Sequence, residues 1–344
     1  MSKVIQRSHL SRRYPGLSFV GVPHRPDCPE PLKMSTVDCH VCGSDRVTLL
    51  AVGEDFEYRT SPDSFLSVRC QDCGLVYMRL RPEMSELDRI YPIDYHAFNF
   101  SSKKFGLIYG VRRRLEAKRL LRACRGLGGN AKILDVGCGD GFHLKLLRDY
   151  GKANWQVEGI DMSDHAVRAG REQGLTIHHG SVQTANLEPG TYDLALMIAT
   201  IEHLDDPVTV LQAVRKLLKP GGRVVIVTDN TDTLDFKIFH QRHWGGYHFP
   251  RHWNLFSPAT MKQMATNVEM NVVELSTIVS PVNWVYSIRN FLDDWGAPIW
   301  LVNRFSLNSP VSLAFFTLFD TLHQWMGHGA LLRVVLENPK SSSH

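Results

Sequence analysis

From Ala131 onward, short apolar runs alternate with helical stretches, the pattern of a parallel sheet with crossover helices. Strand Ile133 to Val136 leads through a glycine loop into helix Phe142 to Tyr150. Strand Val157 to Ile160 leads into helix Asp164 to Gln173, with Ser163 as its N-cap. Strands Thr176 to His179 and Tyr192 to Ala199 follow. Asp206-Pro207 then opens helix Val208 to Leu218, a cap followed by a proline at the first helical position. Strand Arg223 to Thr228, helix Pro258 to Asn267 and strands Asn271 to Glu274 and Leu331 to Glu337 complete an α/β domain.

The loop Asp135-Val-Gly137-Cys-Gly139-Asp-Gly141 joins a strand to a helix, where glycines admit a ligand close to the backbone and the helix N-terminus favours negative charge. Asp161 lies 24 residues after Gly137 at the end of the next strand, where an acid can accept from ribose hydroxyls. The spacing puts Phe142 where a dinucleotide fingerprint has its third glycine, so pyrophosphate is not the obvious ligand. With Gly159-Ile-Asp-Met-Ser163, Ile201-Glu-His-Leu204 and Leu218-Lys-Pro-Gly-Gly222 in this order, the chain resembles the class I S-adenosylmethionine-dependent methyltransferases. The resemblance implies a Rossmann-like seven-stranded sheet whose last strand, Leu331 to Glu337, is antiparallel. It also implies a cofactor held by Asp135, Gly137, Cys138 and Gly139, with Asp161 on the ribose, Met162 on the adenine face, Ser181 and Val182 at the adenine edge, and Ala199 after the fourth strand. Ser181 stands where many relatives have an Asp, which weakens that contact.

Cys39-His-Val-Cys42-Gly43 and Cys70-Gln-Asp-Cys73-Gly74 repeat one knuckle, in which the glycine can take a left-handed turn that aims both sulfurs at one ion. The 27 residues between the pairs suit two arms of a hairpin. Four thiolates form a closed site, so Cys39, Cys42, Cys70 and Cys73 are expected to hold a structural Zn²⁺ in a small N-terminal β ribbon. The ribbon resembles those joined to some small-molecule methyltransferases of natural-product and surface-glycan pathways, and zinc modules of certain RNA methyltransferases. Its four arginines face seven acids between Val37 and Leu80, a balance that does not grip phosphates.

Methyl transfer needs alignment, exclusion of water and, for a hydroxyl acceptor, a base. Glu202 and His203 follow the fourth strand at the carboxyl edge where open α/β sheets bind ligands. Related quinone-pathway O-methyltransferases carry a further acid three residues earlier and can hold a metal; Ala199 stands there, so no catalytic metal is expected. A second cluster runs from His240 to Trp253. Within it His248 and His252 are candidates for base or acceptor contact, and Arg251 for an anionic acceptor.

Residues 1–35 are proline-rich without apolar periodicity and are expected to form a disordered arm, followed by the ribbon (36–83), a basic helical linker (84–128), the methyltransferase domain (129–338) and a tail (339–344). Lys103 to Arg125 holds nine basic residues against Glu116 alone, with Ile108, Val111, Leu115, Leu120, Leu121 and Cys124 as its apolar stripe. An apolar insert spans 281–328, where Val311, Phe315, Leu318, Leu322 and Trp325 share a helical face. The simpler reading is a lid packed on the core; the sharper is a wall for a greasy acceptor, with peripheral membrane contact through Lys103–Arg125 and Val311–Met326. The longest stretch free of charge is 15 residues and the net charge only +4, so neither a bilayer span nor a nucleic-acid partner is expected, and the compartment expected is cytoplasmic. The overall expectation is O-methylation of a small-molecule or lipid-linked acceptor in a biosynthetic pathway. RNA methylation and a non-catalytic zinc-ribbon binding protein are the alternatives.

Overall fold

The computed structural model describes residues 30–92 and 102–340. Most of the expected arm, residues 1–29, lies outside the described residues, as do the side chains of Ile108 and Val111. The arm ends earlier than residue 35. Leu32 is buried, its amide donating to Asp63 at 2.7 Å, and β1 (Met34–Thr36) is already a strand.

The N-terminal sheet contains β1, β2 (Val47–Gly53), β3 (Phe65–Cys70) and β4 (Val76–Pro82) in the order β1-β4-β3-β2. The β2–β3 hairpin occupies the interval between the cysteine pairs, as their spacing requires. This sheet is not a module of its own. The two-residue strand Asn254–Leu255, from the far domain, adds to the free edge of β4 at Val76–Tyr77. Cys39, Val41, Val68, Cys70, Leu75 and Tyr77 share one core with Phe256, Met261 and Met264. A ribbon this small has too little apolar surface to stand alone, and it completes its core against the larger domain.

After helix α1 (Leu87–Ile90) comes the basic helix α2 (Ser102–Ala123). Its docked face is Ala117, Leu120 and, just past its end, Cys124, which pack on Ile133, Leu146 and Leu194. Leu115, expected in the buried stripe, is half-exposed, because it lies on the face opposite the docked Ala117, Leu120 and Cys124.

The main sheet takes β5 (Lys132–Val136), β6 (Gln156–Asp161), β7 (Thr176–His179), β8 (Tyr192–Ile198), β9 (Leu218–Asp229), β11 (Asn271–Ile278) and β12 (Leu331–Glu337), with β10 the strand Asn254–Leu255. Its order is β11-β12-β9-β8-β5-β6-β7, and β12 alone runs antiparallel, as expected. Between the strands lie α3 (Phe142–Tyr150), α4 (Asp164–Arg171), α5 (Pro207–Leu217), α6 (Leu234–Phe239) and α7 (Pro258–Asn267). Their caps follow the sequence: Ser163 accepts from Ala166 N, Asp206 from Val208 N and Thr209 N, and Ser257 forms a reciprocal box with Thr260.

The insert forms α8 (Val282–Asp294), α9 (Ile299–Val302) and α10 (Pro310–Trp325). The lid reading fails for α10. Val311, Phe315, Leu318, Leu322 and Trp325 all face solvent, while Phe316, Asp320 and His323 face inward. The buried Asp320 carboxylate accepts from the amides of Ser280 and Ala330, at 2.8 and 3.3 Å, so loop amides that need an acceptor fix the rotation of the helix.

Candidate active site

The glycine loop lies at the carboxyl end of β5. Gly137 has φ +72°, and a Cβ there would sit 2.6 Å from Thr200 Cγ2, so only glycine fits. Gly139, also left-handed, has no heavy atom within 4 Å of an ideal Cβ; its face is open, as a ligand cradle needs to be. Asp161 closes the other side: its Oδ2 accepts from Gly139 N and its Oδ1 from Ser163 N, both at 2.8 Å, and burial raises its pKa.

Asp135 is buried with Oδ2 in no hydrogen bond, His143 Nδ1 standing 3.4 Å away. A buried carboxylate oxygen beside an open glycine cradle suits the ammonium end of a methionine-like ligand. Ser181 is occupied with Thr184 Oγ1 at 3.0 Å, Val182 is buried, and Met162 is exposed on the rim. Ala199 takes a left-handed φ of +52°, rare for a residue with a Cβ and the kind of strain held at functional sites. Cys138 departs from expectation: its thiol packs under the loop with Leu144, Val167 and Ile177, and burial pushes its pKa up.

Glu202, His203, His248 and His252 come together beside this cradle. The His203 and His252 rings are 4.6 Å apart and the His248 and His252 rings 4.9 Å. The three histidines are not equivalent. His248 Nδ1 is 2.6 Å from Glu57 Oε2, yet burial brings its pKa down to about 4, leaving it a weak base. His203 Nδ1 meets Tyr91 Oη at 2.8 Å and the Arg251 carbonyl at 3.1 Å, and burial lowers its pKa well below the usual range. His252 Nδ1 lies 2.8 Å from the Gly246 carbonyl and 3.1 Å from Asp229 Oδ2. Burial alone would lower its pKa, but the hydrogen bond and charge of Asp229 outweigh that and raise it. Donation from Nδ1 leaves Nε2 as the basic atom. Asp229 is itself held by Asn283 Nδ2 at 2.7 Å.

Glu202 is fully buried, accepts from Thr228 Oγ1 at 2.9 Å, and is pushed up to about 7 by burial. Glu202, His203 and His252 each present one ligand atom, all within 4.8 Å of one another. The donor set of a divalent-ion site is therefore present although Ala199 supplies none, so the substitution at 199 does not by itself remove that chemistry.

Arg251 does not wait for an anionic acceptor. Wholly buried, it forks onto the equally buried Asp55 at 2.9 and 3.1 Å and donates to the carbonyls of Ile90 and Phe249. A second clamp joins the ribbon to the insert: Arg242 reaches Glu54 Oε2 at 2.6 Å and Asp294 Oδ2 at 2.8 Å, and His243 Nε2 meets the same Asp294. The ribbon thus walls the site.

The four ribbon cysteines converge as well. Cys39 Sγ lies 3.4 Å from Cys73 Sγ and Cys42 Sγ the same distance from Cys70 Sγ, and all four fall within 4.8 Å of one another. A tetrahedral zinc needs sulfurs about 3.8 Å apart, from Zn–S of about 2.3 Å. Gly43 and Gly74 are left-handed and return their amides to the carbonyls of Cys39 and Cys70. Burial pushes Cys73 up to about 11; at Cys70 the amides of Cys73 and Asp72 and neighbouring thiols overcome burial and bring the thiol down to about 7. The cluster fits a metal, which would keep all four sulfurs as thiolates.

A family described as a methyltransferase domain matches residues 109–275, the segment that carries the glycine loop, Asp161 and the histidine cluster. Over these residues the chain carries a methyltransferase domain. The chain is similar to a ubiquinone biosynthesis O-methyltransferase of Cupriavidus pinatubonensis, 28% identical over 184 residues, 49% of this chain and 71% of that protein. It is also similar to one of Vibrio cholerae, 34% identical over 131 residues, 36% of this chain and 51% of that protein. It thus spans about half the length of the second relative. A solved methyltransferase from Archaeoglobus fulgidus aligns at 18% identity and a TM-score of 0.45, over 70% of this chain and 99% of that one. Within the methyltransferase domain, Asp229 went unread in the sequence. Its signal was available: a carboxylate closing the otherwise apolar strand Val224-Val-Ile-Val-Thr-Asp.

Proposed function

We propose that this chain methylates an oxygen of a small-molecule or lipid-linked acceptor, with His252 as the general base and the cysteine cluster holding a structural zinc. The observation that carries the reading is the His252–Asp229 pair, a histidine held by a buried carboxylate and grouped with Glu202 and His203, one ligand atom of each within 4.8 Å of the others. When bound, S-adenosylmethionine supplies an electrophilic methyl group on its sulfonium. Asp135 and the open face at Gly139 would hold its amino-acid end, and Asp161 would accept from its ribose. The acceptor hydroxyl loses its proton to His252 Nε2, and the Asp229 carboxylate stabilises the imidazolium that results. Glu57, Tyr91 and the ribbon keep water from the pocket. The relatives' names support oxygen as the atom methylated.

The test is two-staged. Calorimetric titration should give saturable, one-to-one binding of S-adenosylmethionine. Transfer of labelled methyl to a panel of phenols, catechols and prenylated hydroxyquinones should then be lost in His252→Ala and retained in part in His248→Gln. Absence of cofactor binding removes the enzyme reading, and unchanged turnover in His252→Ala removes the base. Metal analysis should return one zinc per chain; a folded, metal-free protein removes the ion.

A further inference from the structure

Ten of the eighteen exposed large apolar side chains of the described residues fall between Phe291 and Met326. Five of them, Val311, Phe315, Leu318, Leu322 and Trp325, line one face of α10. Within the same insert Trp295 and Trp300 are also open; with Trp325 they are 76%, 64% and 78% exposed. Three tryptophans this open present roughly 400 Å² by themselves, as much as the whole largest apolar patch of an ordinary monomer. A face of this kind has a partner.

The partner's chemistry follows from what adjoins the face. Gln324 of α10 donates to the Thr277 carbonyl at 2.9 Å, and Asp320 accepts from Ser280 N. From the other side Arg119 of α2 reaches the Val279 carbonyl at 3.4 Å. The apolar helix and the basic helix thus abut the same segment, residues 277–280. Arg114, Lys118 and Arg122 are exposed on α2 at spacings of four, and Arg125 is exposed just past its end, one cationic stripe.

We propose that this combined surface docks on a lipid bilayer bearing anionic headgroups, α10 and the tryptophans entering the interfacial region and the α2 stripe meeting the headgroups. Tryptophan beside aliphatic side chains suits the boundary between acyl chains and water, and flanking Lys and Arg supply attraction to anionic lipid. A second copy fits less well, since joining two such faces brings two cationic stripes together. No helix of the described residues is long and apolar enough to cross a membrane, so the contact is peripheral. The docked face lies one layer from the chemistry: Phe316 of α10 stacks on Trp284 of α8, whose neighbour Asn283 holds Asp229. An acceptor carried in lipid would meet the pocket from this side.

The test uses the full chain in sedimentation with phosphatidylcholine vesicles, with and without 30 mol% phosphatidylglycerol (about 0.1 M salt). Binding should be at least tenfold tighter to the anionic vesicles. The exposed double substitution Phe315→Asp/Trp325→Asp should lower it tenfold or more. Neutralisation of Arg114, Lys118 and Arg122 to Gln should weaken binding to the anionic vesicles by about fivefold per residue. Both variants should keep the parent melting temperature and S-adenosylmethionine affinity, which separates loss of docking from loss of fold. No binding to anionic vesicles, or binding that ignores these substitutions, overturns the proposal. So does a stable dimer that Phe315→Asp/Trp325→Asp returns to monomer. The docking is independent of the methyl-transfer reading: vesicle binding without turnover removes only that reading, and turnover on a water-soluble acceptor without vesicle binding removes only the docking.

Discussion

Asp55 and Arg251 are 196 residues apart and neither has any exposed side-chain surface, so their pairing is the strongest single tie between ribbon and catalytic domain. Two charge-assisted hydrogen bonds join them, and Asp55 also accepts from Tyr58 N, Thr60 N and Thr60 Oγ1 at 2.7 to 2.9 Å. Asp55→Ala leaves a buried guanidinium facing no charge, a loss of about 3–5 kcal/mol. Arg251→Met leaves a carboxylate that keeps three donors, and should cost about 3 kcal/mol. The double substitution buries no unpaired charge; its cost is that of the orphaned amides, about 1–3 kcal/mol. The singles therefore sum to roughly 7 kcal/mol and the double falls short of that sum by about 3 kcal/mol or more. Equilibrium denaturation by tryptophan fluorescence at pH 7.5 measures the three differences; each single change should lower Tm by roughly 10 °C. Since the ion pair and the amide bonds hold Asp55 below the usual carboxylate range despite its burial, its contribution is present above about pH 4 and fades as pH falls through its folded pKa. Strict additivity of the two singles would refute the reasoning, for it would mean that the charges do not depend on each other.

The glycines of the cofactor loop should separate by mechanism. Gly137→Ala drives a Cβ into Thr200 and should cost both fold stability and cofactor affinity; Gly139→Ala meets open space, so it should lose cofactor affinity more than tenfold at a strain cost of about 1 kcal/mol, read by calorimetry and denaturation side by side. His252, with its pKa raised by Asp229, should give kcat a limb that falls as pH drops below a value above 6.5; Asp229→Asn should move that limb to lower pH and reduce kcat, while a limb that stays put would detach Asp229 from the base. The same raised pKa makes the pair's stabilisation complete below about pH 6.5 and lost as pH rises through the folded value, so the stability cost of Asp229→Asn should shrink on going from pH 6 to pH 9. Chelation of the ribbon metal, or Cys42→Ser, should lower turnover as well as Tm, because the ribbon carries Asp55 and Glu57 into the site; unchanged kcat in a zinc-free, folded protein would sever that link.

The main sheet was legible because its signals are local. A strand, a glycine turn, a helix and its cap lie within about twenty residues of each other, and the boundaries of Phe142–Tyr150, Thr176–His179, Pro258–Asn267 and Leu331–Glu337 follow from them. The histidine cluster was legible for a related reason: the loop after a carboxyl-edge strand has one direction in which to reach. What stayed hidden depends on long-range pairing. Arg251 reads as a free cation for an acceptor until Asp55, in a segment whose sequence reads as acidic and exposed, is seen buried against it. The seven acids of the ribbon point away from phosphate, yet three of them, Glu54, Asp55 and Glu57, are spent on Arg242, Arg251 and His248 of the catalytic domain.

The rotation of α10 shows the opposite failure. Periodicity finds an apolar stripe but carries no sign for which side of a helix is water. Here a single buried carboxylate, Asp320, collecting the amides of Ser280 and Ala330, outweighs the stripe and turns it outward. Burying the stripe instead would turn that carboxylate to solvent and leave the amides of Ser280 and Ala330 unpartnered, at about 1–3 kcal/mol for each. The apolar face gains as much by meeting a surface outside the chain, and no orphaned polar group is created. Replacing Asp320 by Leu should therefore destabilise the insert rather than extend its core; a more stable Asp320→Leu protein, by thermal melting, would show that hydrophobic burial and not amide satisfaction sets the orientation of this helix.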